Sequence, residues 1–253
     1  MIIGIGAGDP DQVTVQAVRA LNRADVFFVL TKGDEKQDLV DVRREILRRH
    51  VARPAYRIVE ARDPDRDRTA DRYAEAVADW RRRRADVYER LIRDELPAGG
   101  CGAFLVWGDP ALYDSTLGIV DELLARGTVP FEYTVFPGVS SVSTLAAGHR
   151  IGLNRVGRPF QVTTGRRLAA DGWPPGVDDV VVMLDAQCAF AGFADQRTHI
   201  YWGAYLGTPD EILISGPVAE VADRIRAARR AARDRKGWIM DTYLLRRGAG
   251  DGQ

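Results

Sequence analysis

Over its first 136 residues the chain alternates short apolar runs with amphipathic stretches. The runs are IIGIG (2–6), DVFFVL (25–30), YRIVE (56–60), AFLVW (103–107) and FEYTVFPG (131–138). Between the first two, VTVQAVRALNRAD sets Val13, Val15, Ala17, Val18 and Leu21 at mostly helical spacing. Residues 36–50 read as a charged helix. Residues 67–95 read as one long helix or a broken pair, with Tyr73, Val77, Trp80, Val87 and Leu91 on the inner side. A helix is expected after Asp109-Pro110. Strand–helix alternation of this kind implies an α/β fold with a mainly parallel sheet and helices on both faces.

The second half is richer in strands. PFQVTTGR, DDVVVMLDA, THIYWGAYLG, EILISGP and KGWIMDTYLLRR are strand-like, and only 139–148, about 186–194 and 217–234 look helical. More strands per helix implies a mixed sheet. The pattern changes near Phe136-Pro137-Gly138, which divides the chain into an N-terminal domain, 1–136, and a C-terminal domain, 137–247. No low-complexity linker marks the boundary, so two closely joined domains are expected. The tail GAGDGQ (248–253) is expected to be disordered.

Several function classes fall away on composition. The chain has 36 basic and 36 acidic residues, so the whole-molecule field offers nothing to nucleic acid or an anionic membrane. Cys101 and Cys188 form no CxxC pair, and His50, His149 and His199 show no ligand spacing, so no metal site is expected. No run is long enough to span a bilayer, and the first apolar run lacks the basic flank of a signal peptide. A cytoplasmic location is the expectation.

The first loop, GIGAGDPD, invites comparison with a dinucleotide fingerprint. Gly4 and Gly6 fit the first two positions, but the third falls on Asp9. Asp9 is a preferred helix cap and Pro10 suits a first helical position, so the helix start is read as capped from within. The glycines then either form a tight turn or leave the backbone bare for something bulky. Strand, glycine and Asp-Pro recur in VWGDPALYDS (106–115), where Asp109 is read as a cap in the same way. TVFPGVSSVSTLAAG (134–148) supplies a third glycine-bearing strand end. In an open α/β sheet, ligands sit beyond the carboxyl ends of the strands. Three bare strand ends on one edge would form a wide trough for a large ligand.

Together GIGAGDPD, WGDPALYDST and FPGVSSVSTLAA resemble the tetrapyrrole (uroporphyrin-III C/precorrin) methyltransferases, and GAYLGTPDEILISGPVAEVAD (203–223) is similar to their late threonine-proline-acid region. The resemblance spans nearly the whole chain, in order. Residues 36–95 and FEYTVFPGVSSVSTLAAGHRIGLNRVGRPFQVTTGRR most resemble the family's deacetylating branch. The resemblance implies two α/β domains with S-adenosylmethionine held in a cleft between them, S-adenosylhomocysteine as product, and a homodimer. It implies methylation of precorrin-5 at ring carbon 1 with loss of acetate, a step of cobalamin biosynthesis.

Carried residue by residue, the resemblance assigns Pro10, Trp107, Gly108, Asp109, Tyr113, Ser140, Ser141, Met183, Gly203, Ala204 and Tyr205 to the cofactor. Asp109 keeps its competing role as a cap, and Met183 that of core filler. Gly6, Ala7 and Gly8 would floor the substrate trough. Methyl transfer from a sulfonium asks mainly for placement. Removal of the acetyl group needs a base or a positioned water, for which Asp11, Tyr113 and Asp114 are the candidates, Asp9 standing beside them; Asp11 is favoured because it follows the glycine loop without being the expected cap. Arg158, Arg166 and Arg167, around QVTTG, suit the substrate's carboxylate arms. RRRR (81–84) points all round its helix and is mostly solvated, and His149 is read as a cation at a helix end. The alternatives are another precorrin methylase, a diphthine synthase-like or ribosomal RNA methylase, a nicotinamide oxidoreductase with Asp25 as its ribose acid, and a non-catalytic tetrapyrrole carrier.

Overall fold

Residues 1–31, 37–53, 55–65, 73–194 and 197–248 are described by the computed structural model. The chain divides into two compact units, Met1–Ser140 and Ser141–Gln253. The division falls four residues after the expected Phe136. The turn that follows Phe136 is tied into the first unit, because the Gly138 amide donates to Asp109 Oδ2 at 2.9 Å. The expected disordered tail lies, apart from Gly248, outside the described residues, as do residues 67–72 of the expected long helix.

Unit 1 contains strands β1 (Ile2–Gly4), β2 (Val26–Thr31), β3 (Arg57–Arg62), β4 (Gly102–Val106) and β5 (Val135–Phe136), and helices α1 (Val15–Leu21), α2 (Gln37–His50), α3 (Tyr73–Glu95) and α4 (Thr116–Arg126). The strands form one sheet in the order β3-β2-β4-β1-β5, and every pairing is parallel. Period-two alternation sorts the core into two layers. Ile3, Phe27, Ala103 and Leu105 pack with Ala17 and Leu21 of α1 and Ile46 and Leu47 of α2. Val26, Phe28 and Phe104 pack with Ala85, Tyr88 and Leu91 of α3 and Ile119 and Leu123 of α4. Tyr88 stacks on Phe104 with ring centroids 4.1 Å apart.

Two capping expectations are corrected. Asp9 caps only a short 3₁₀ turn, Pro10–Gln12, and Thr14 caps α1 by accepting from the Ala17 amide at 3.1 Å. Asp109-Pro110 opens a turn and does not begin the helix that follows; α4 starts at Thr116, whose amide donates to Asp114 Oδ1 at 2.7 Å. The strand expected over 131–138 reduces to Val135 and Phe136, because β1, its partner, is itself short.

Unit 2 contains α5 (Ser141–His149), β6 (Phe160–Thr164), α6 (Gly165–Asp171), β7 (Asp179–Met183), β8 (Thr198–Ala204), β9 (Ile212–Pro217), α7 (Val218–Lys236) and β10 (Asp241–Arg247). Its sheet runs β6-β7-β10-β8-β9, parallel only between β6 and β7. Helix α6 was not expected; Thr164 caps it through the Arg167 amide. The helix expected over 186–194 is a 3₁₀ turn, Ala189–Phe193. Helices α5 and α7 both pack on β8. A Cβ on Gly203 would meet Leu145 of α5 at 2.9 Å, so this glycine lets α5 lie close. No helix among the described residues is long and apolar enough to cross a membrane.

Candidate functional site

Strands β1 and β4 are neighbours whose following helices, α1 and α4, pack on opposite faces of the sheet. The chain therefore leaves the two strand ends in opposite directions, which in a parallel sheet opens the ligand crevice. At this edge Gly6 and Gly108 form an antiparallel bridge, with the Gly108 amide donating to the Gly6 carbonyl at 2.8 Å. Gly4, Gly108 and Gly138 meet backbone to backbone. A Cβ on Gly138 would lie 2.1 Å from the Gly108 carbonyl oxygen, and one on Gly4 2.6 Å from the Gly138 nitrogen. Three strand ends are thus fastened together where larger residues would hold them apart.

Of the two roles read for the first loop, the geometry on the page is that of the tight turn. Gly6, Ala7 and Gly8 are buried. Gly6 has φ +83°, and a Cβ there would meet the Gln12 side chain at 2.9 Å. The Ala7 amide is taken by Gln12 Oε1. The tight turn is the role these glycines demonstrably play. The nicotinamide reading does not fit the same geometry, since a 3₁₀ turn and a Thr14 cap stand between the glycines and α1, so the loop does not run directly into that helix's N-terminus.

Asp109 holds the edge. It is half-buried, its Oδ1 accepts from the Ala111 amide at 2.8 Å, and its Oδ2 accepts from Gly138 across on the β5 turn. Pro110 is buried, Trp107 packs on the α1–α2 layer, and Tyr113 stands at φ +50° with 45% of its surface exposed. Partial burial raises the Tyr113 pKa, so its phenol is a donor at neutral pH. Asp114 is used as the start of α4. Asp11 has a different environment. It is exposed, and its carboxylate lies 3.6 Å from Arg49 in the last turn of α2. The neighbouring Pro10 carbonyl accepts from His50 Nε2 at 2.9 Å. Pro10 and Asp11 are therefore engaged with the end of α2, and Asp11 serves as a surface ion pair.

Two arginines converge where β2 and β4 part. The strands pair only from Val26↔Gly102 to Phe28↔Phe104, after which β2 stays with β3 and β4 with β1. From α3, Arg84 enters this gap and meets the fully buried Asp63 carboxylate at 2.9 Å and Ser115 Oγ at 2.6 Å. Arg82 and Arg83 stay outside and pair with Asp79. From α2, Arg43 donates through Nε to the Leu105 carbonyl at 3.4 Å and through Nη1 to the Leu39 carbonyl at 2.9 Å, with its guanidinium 5.6 Å from the Trp107 ring centre. Sequence reasoning missed Arg43, although a signal was present: Val40, Arg43, Ile46 and Leu47 share one helical stripe, so this arginine lies on the buried face.

In unit 2, Met183 and Gly203 both pair with Thr242, which places them on one edge of the sheet, about 10 Å apart across β10. Met183 is half-buried. Gly203 and Ala204 are paired on both sides. Tyr205 is buried. Its hydroxyl donates to the Trp238 carbonyl at 2.6 Å, its amide donates to Met240, and its carbonyl accepts from Thr208. Its side chain belongs to the core. Ser140 ends unit 1 and Ser141 opens α5. Beyond Met183, Asp185 builds the next turn by accepting from the Gln187 and Ala189 amides and from the Tyr243 hydroxyl at 2.7 Å. Arg229 anchors this turn to Asp241. Burial pushes the Cys188 thiol pKa up, which favours its neutral form. His149 Nε2 binds the Trp202 carbonyl at 3.0 Å.

The three expected substrate arginines do not form a group. Arg158 precedes β6 and pairs with Asp178 at 2.9 Å, whereas Arg166 and Arg167 follow β6 on α6, a strand length away. Arg167 pairs with Asp171 at 2.9 Å and is exposed.

The family model described as Tetrapyrrole (Corrin/Porphyrin) Methylases matches residues 1–222. A Sinorhizobium protein named precorrin-6A synthase [deacetylating] is 54% identical over 249 residues, covering 98% of this chain and 95% of that one. The crystal structure of a cobalamin synthesis related protein from Corynebacterium diphtheriae is 37% identical with a TM-score of 0.83, covering 97% of each chain. A Thermus thermophilus uroporphyrin-III C-methyl transferase complexed with S-adenyl homocysteine shares the fold at 22% identity and a TM-score of 0.56, covering 96% of this chain and 95% of that one.

Proposed function

The chain belongs to the tetrapyrrole (corrin/porphyrin) methylase family, and from that membership we propose that it carries out the deacetylating precorrin-6A synthase reaction: methylation of precorrin-5 at ring carbon 1 with release of the acetyl group as acetate. The end-to-end likeness to the Sinorhizobium enzyme carries this reading. The convergence of three strand ends at Asp109 supports it, because it sets polar groups on the edge where an α/β sheet takes its ligand.

The donor set suits S-adenosylmethionine. A carboxylate has about four acceptor sites, so Asp109 retains capacity after its two amide bonds and suits an ammonium group. Trp107, Gly108 and Tyr113 complete this part of the proposed cofactor site. The cofactor supplies a methyl group on a sulfonium, whose departure needs no protein acid. Loss of the acetyl group requires water to add to its carbonyl and the carbon–carbon bond to break, with acetate leaving. Tyr113, held protonated, is the donor assigned to the acetyl oxygen. A cytoplasmic homodimer accompanies this reading.

Incubation with precorrin-5 and methyl-labelled cofactor tests it. One labelled methyl in the macrocycle with one equivalent of acetate is expected. Methylation without acetate would move the protein to another branch of the family.

A further inference from the structure

Arg43 differs from the other arginines that the fold draws inward. Arg84 is matched by Asp63, Arg229 by Asp241, and Arg246 by Asp179 at 2.6 Å. Arg43 has no carboxylate within ion-pair distance among the described residues; its protein partners are two carbonyls and an indole face. One of those bonds has a clear structural origin. The Val106 carbonyl accepts from Ile5 on the β1 side, so the Leu105 carbonyl faces β2, which has already turned away. Arg43 Nε caps this orphan. The bond to Leu39 holds the side chain along its own helix. Among the described residues Nη2 has no hydrogen-bond partner, and it is not sealed from solvent.

The result is a half-buried guanidinium with two of its nitrogens fixed and the third open. It lies beside Trp107, the residue that leads from β4 into Gly108 and Asp109. Burial lowers its pKa to about 10, which leaves it cationic at neutral pH. Asp114 interacts with it through space but makes no ion pair and is engaged at the Thr116 amide. A planar fork of this kind, held by carbonyls and an aromatic face, matches a carboxylate better than any other common anion partner except phosphate.

We propose that Arg43 binds a peripheral carboxylate of the macrocyclic substrate and so sets its orientation on unit 1. This rests on the tetrapyrrole methylase reading, in which the substrate carries acetate and propionate arms. It also replaces Arg158 and Arg167, which aspartates already neutralise.

The test uses Arg43→Gln and Arg43→Lys in the full chain. Loss of a charged partner in a partly desolvated site corresponds to a ten- to a hundredfold weakening, roughly, so the KM for precorrin-5 should rise by that factor in Arg43→Gln while S-adenosylhomocysteine affinity, read by calorimetry, holds. A second readout needs no turnover: binding of uroporphyrin III against its methyl ester. The wild type should prefer the acid, and Arg43→Gln should lose that preference. A purely structural arginine would lower the melting temperature and leave both KM and the acid-to-ester ratio unmoved, which overturns the proposal. Should Arg43→Gln not fold, Arg43→Lys decides by the same ratio, with a partial loss expected and an unchanged ratio fatal. If the wild type discriminates acid from ester but does not turn over precorrin-5, the reaction assigned above fails and Arg43 as a carboxylate site stands.

Discussion

Replacing Asp109 by alanine removes one side chain and two hydrogen bonds, and the two are not equal. Ala111 is exposed, so water takes over its amide at a cost of roughly 0.5 kcal/mol. Gly138 is half-buried and packed against Gly4 and Gly108, with no room for a replacement acceptor. Leaving that amide without its charged partner costs about 1.5–3 kcal/mol. The sum, about 2–3.5 kcal/mol, corresponds to a fall in melting temperature of roughly 4–14 °C for a chain of this size. Urea unfolding followed by circular dichroism reads the same quantity as a shift in midpoint at constant slope. Asp109→Asn should recover only part of the loss, since its amide group can accept one N–H but must face the other with its own. In the same samples S-adenosylhomocysteine affinity should fall for both variants. A midpoint unchanged within about 0.5 kcal/mol in Asp109→Ala would show that the two strand ends stand without their shared acceptor, and the account of this edge would be wrong.

Arg84→Met should destabilise by about 3–5 kcal/mol, because it strands the buried Asp63 carboxylate. The double variant Arg84→Met/Asp63→Leu should regain most of that in urea unfolding, and equal loss in both would assign the cost to packing instead. In unit 2, burial, the Arg246 guanidinium and His149 hold His199 below its ordinary pKa. The folded chain then binds fewer protons than the unfolded one, so stability rises with pH through that window and is lost as pH falls below about 6.5. The depressed carboxyls of Asp178, held by Arg158, and Asp210, held by Lys236, release their contribution only at more acidic pH. Thermal unfolding between about pH 7.5 and 5 should therefore steepen on the His199 window, and His199→Gln should flatten it; identical profiles for the two proteins would remove His199 from the account.

Both sheets were legible because their apolar runs are strong and evenly spaced. A fully buried parallel strand such as GAFLV, and the long Val180–Val182 run of β7, leave little else for the chain to do. What escaped depended on local chemistry. GRRLAAD looks too short and too charged to be a helix, yet Thr164 caps it and Gly165 allows Asp185 to approach, since a Cβ there would sit 2.4 Å from the Asp185 side chain. Asp-Pro was read twice as the start of an α-helix. In both places the aspartate accepts from the amide two residues on, a turn that looks identical to a cap in sequence.

Candidate site residues are harder to read because a charge is defined by what neutralises it. Arg158 and Arg167 sit in the stretch that most resembles the family and look available, but Asp178 and Asp171 stand within 2.9 Å of them. Arg43 sits in an unremarkable charged helix and looks like surface. It becomes distinctive only when β2 leaves β4 and exposes the Leu105 carbonyl, because that departure gives the guanidinium an inward acceptor. Strand divergence is a property of register across three segments, residues 26–31, 57–62 and 102–106, and no window on one of them contains it. The glycines follow the same logic. Gly4, Gly108 and Gly138 lie far apart in the chain, and the reason each must lack a side chain is the backbone of the other two. Bareness at the strand ends is therefore first a condition for closing the edge, and the cofactor and substrate roles proposed above fall to side chains at or beside that closed edge, Asp109, Tyr113, Trp107 and Arg43.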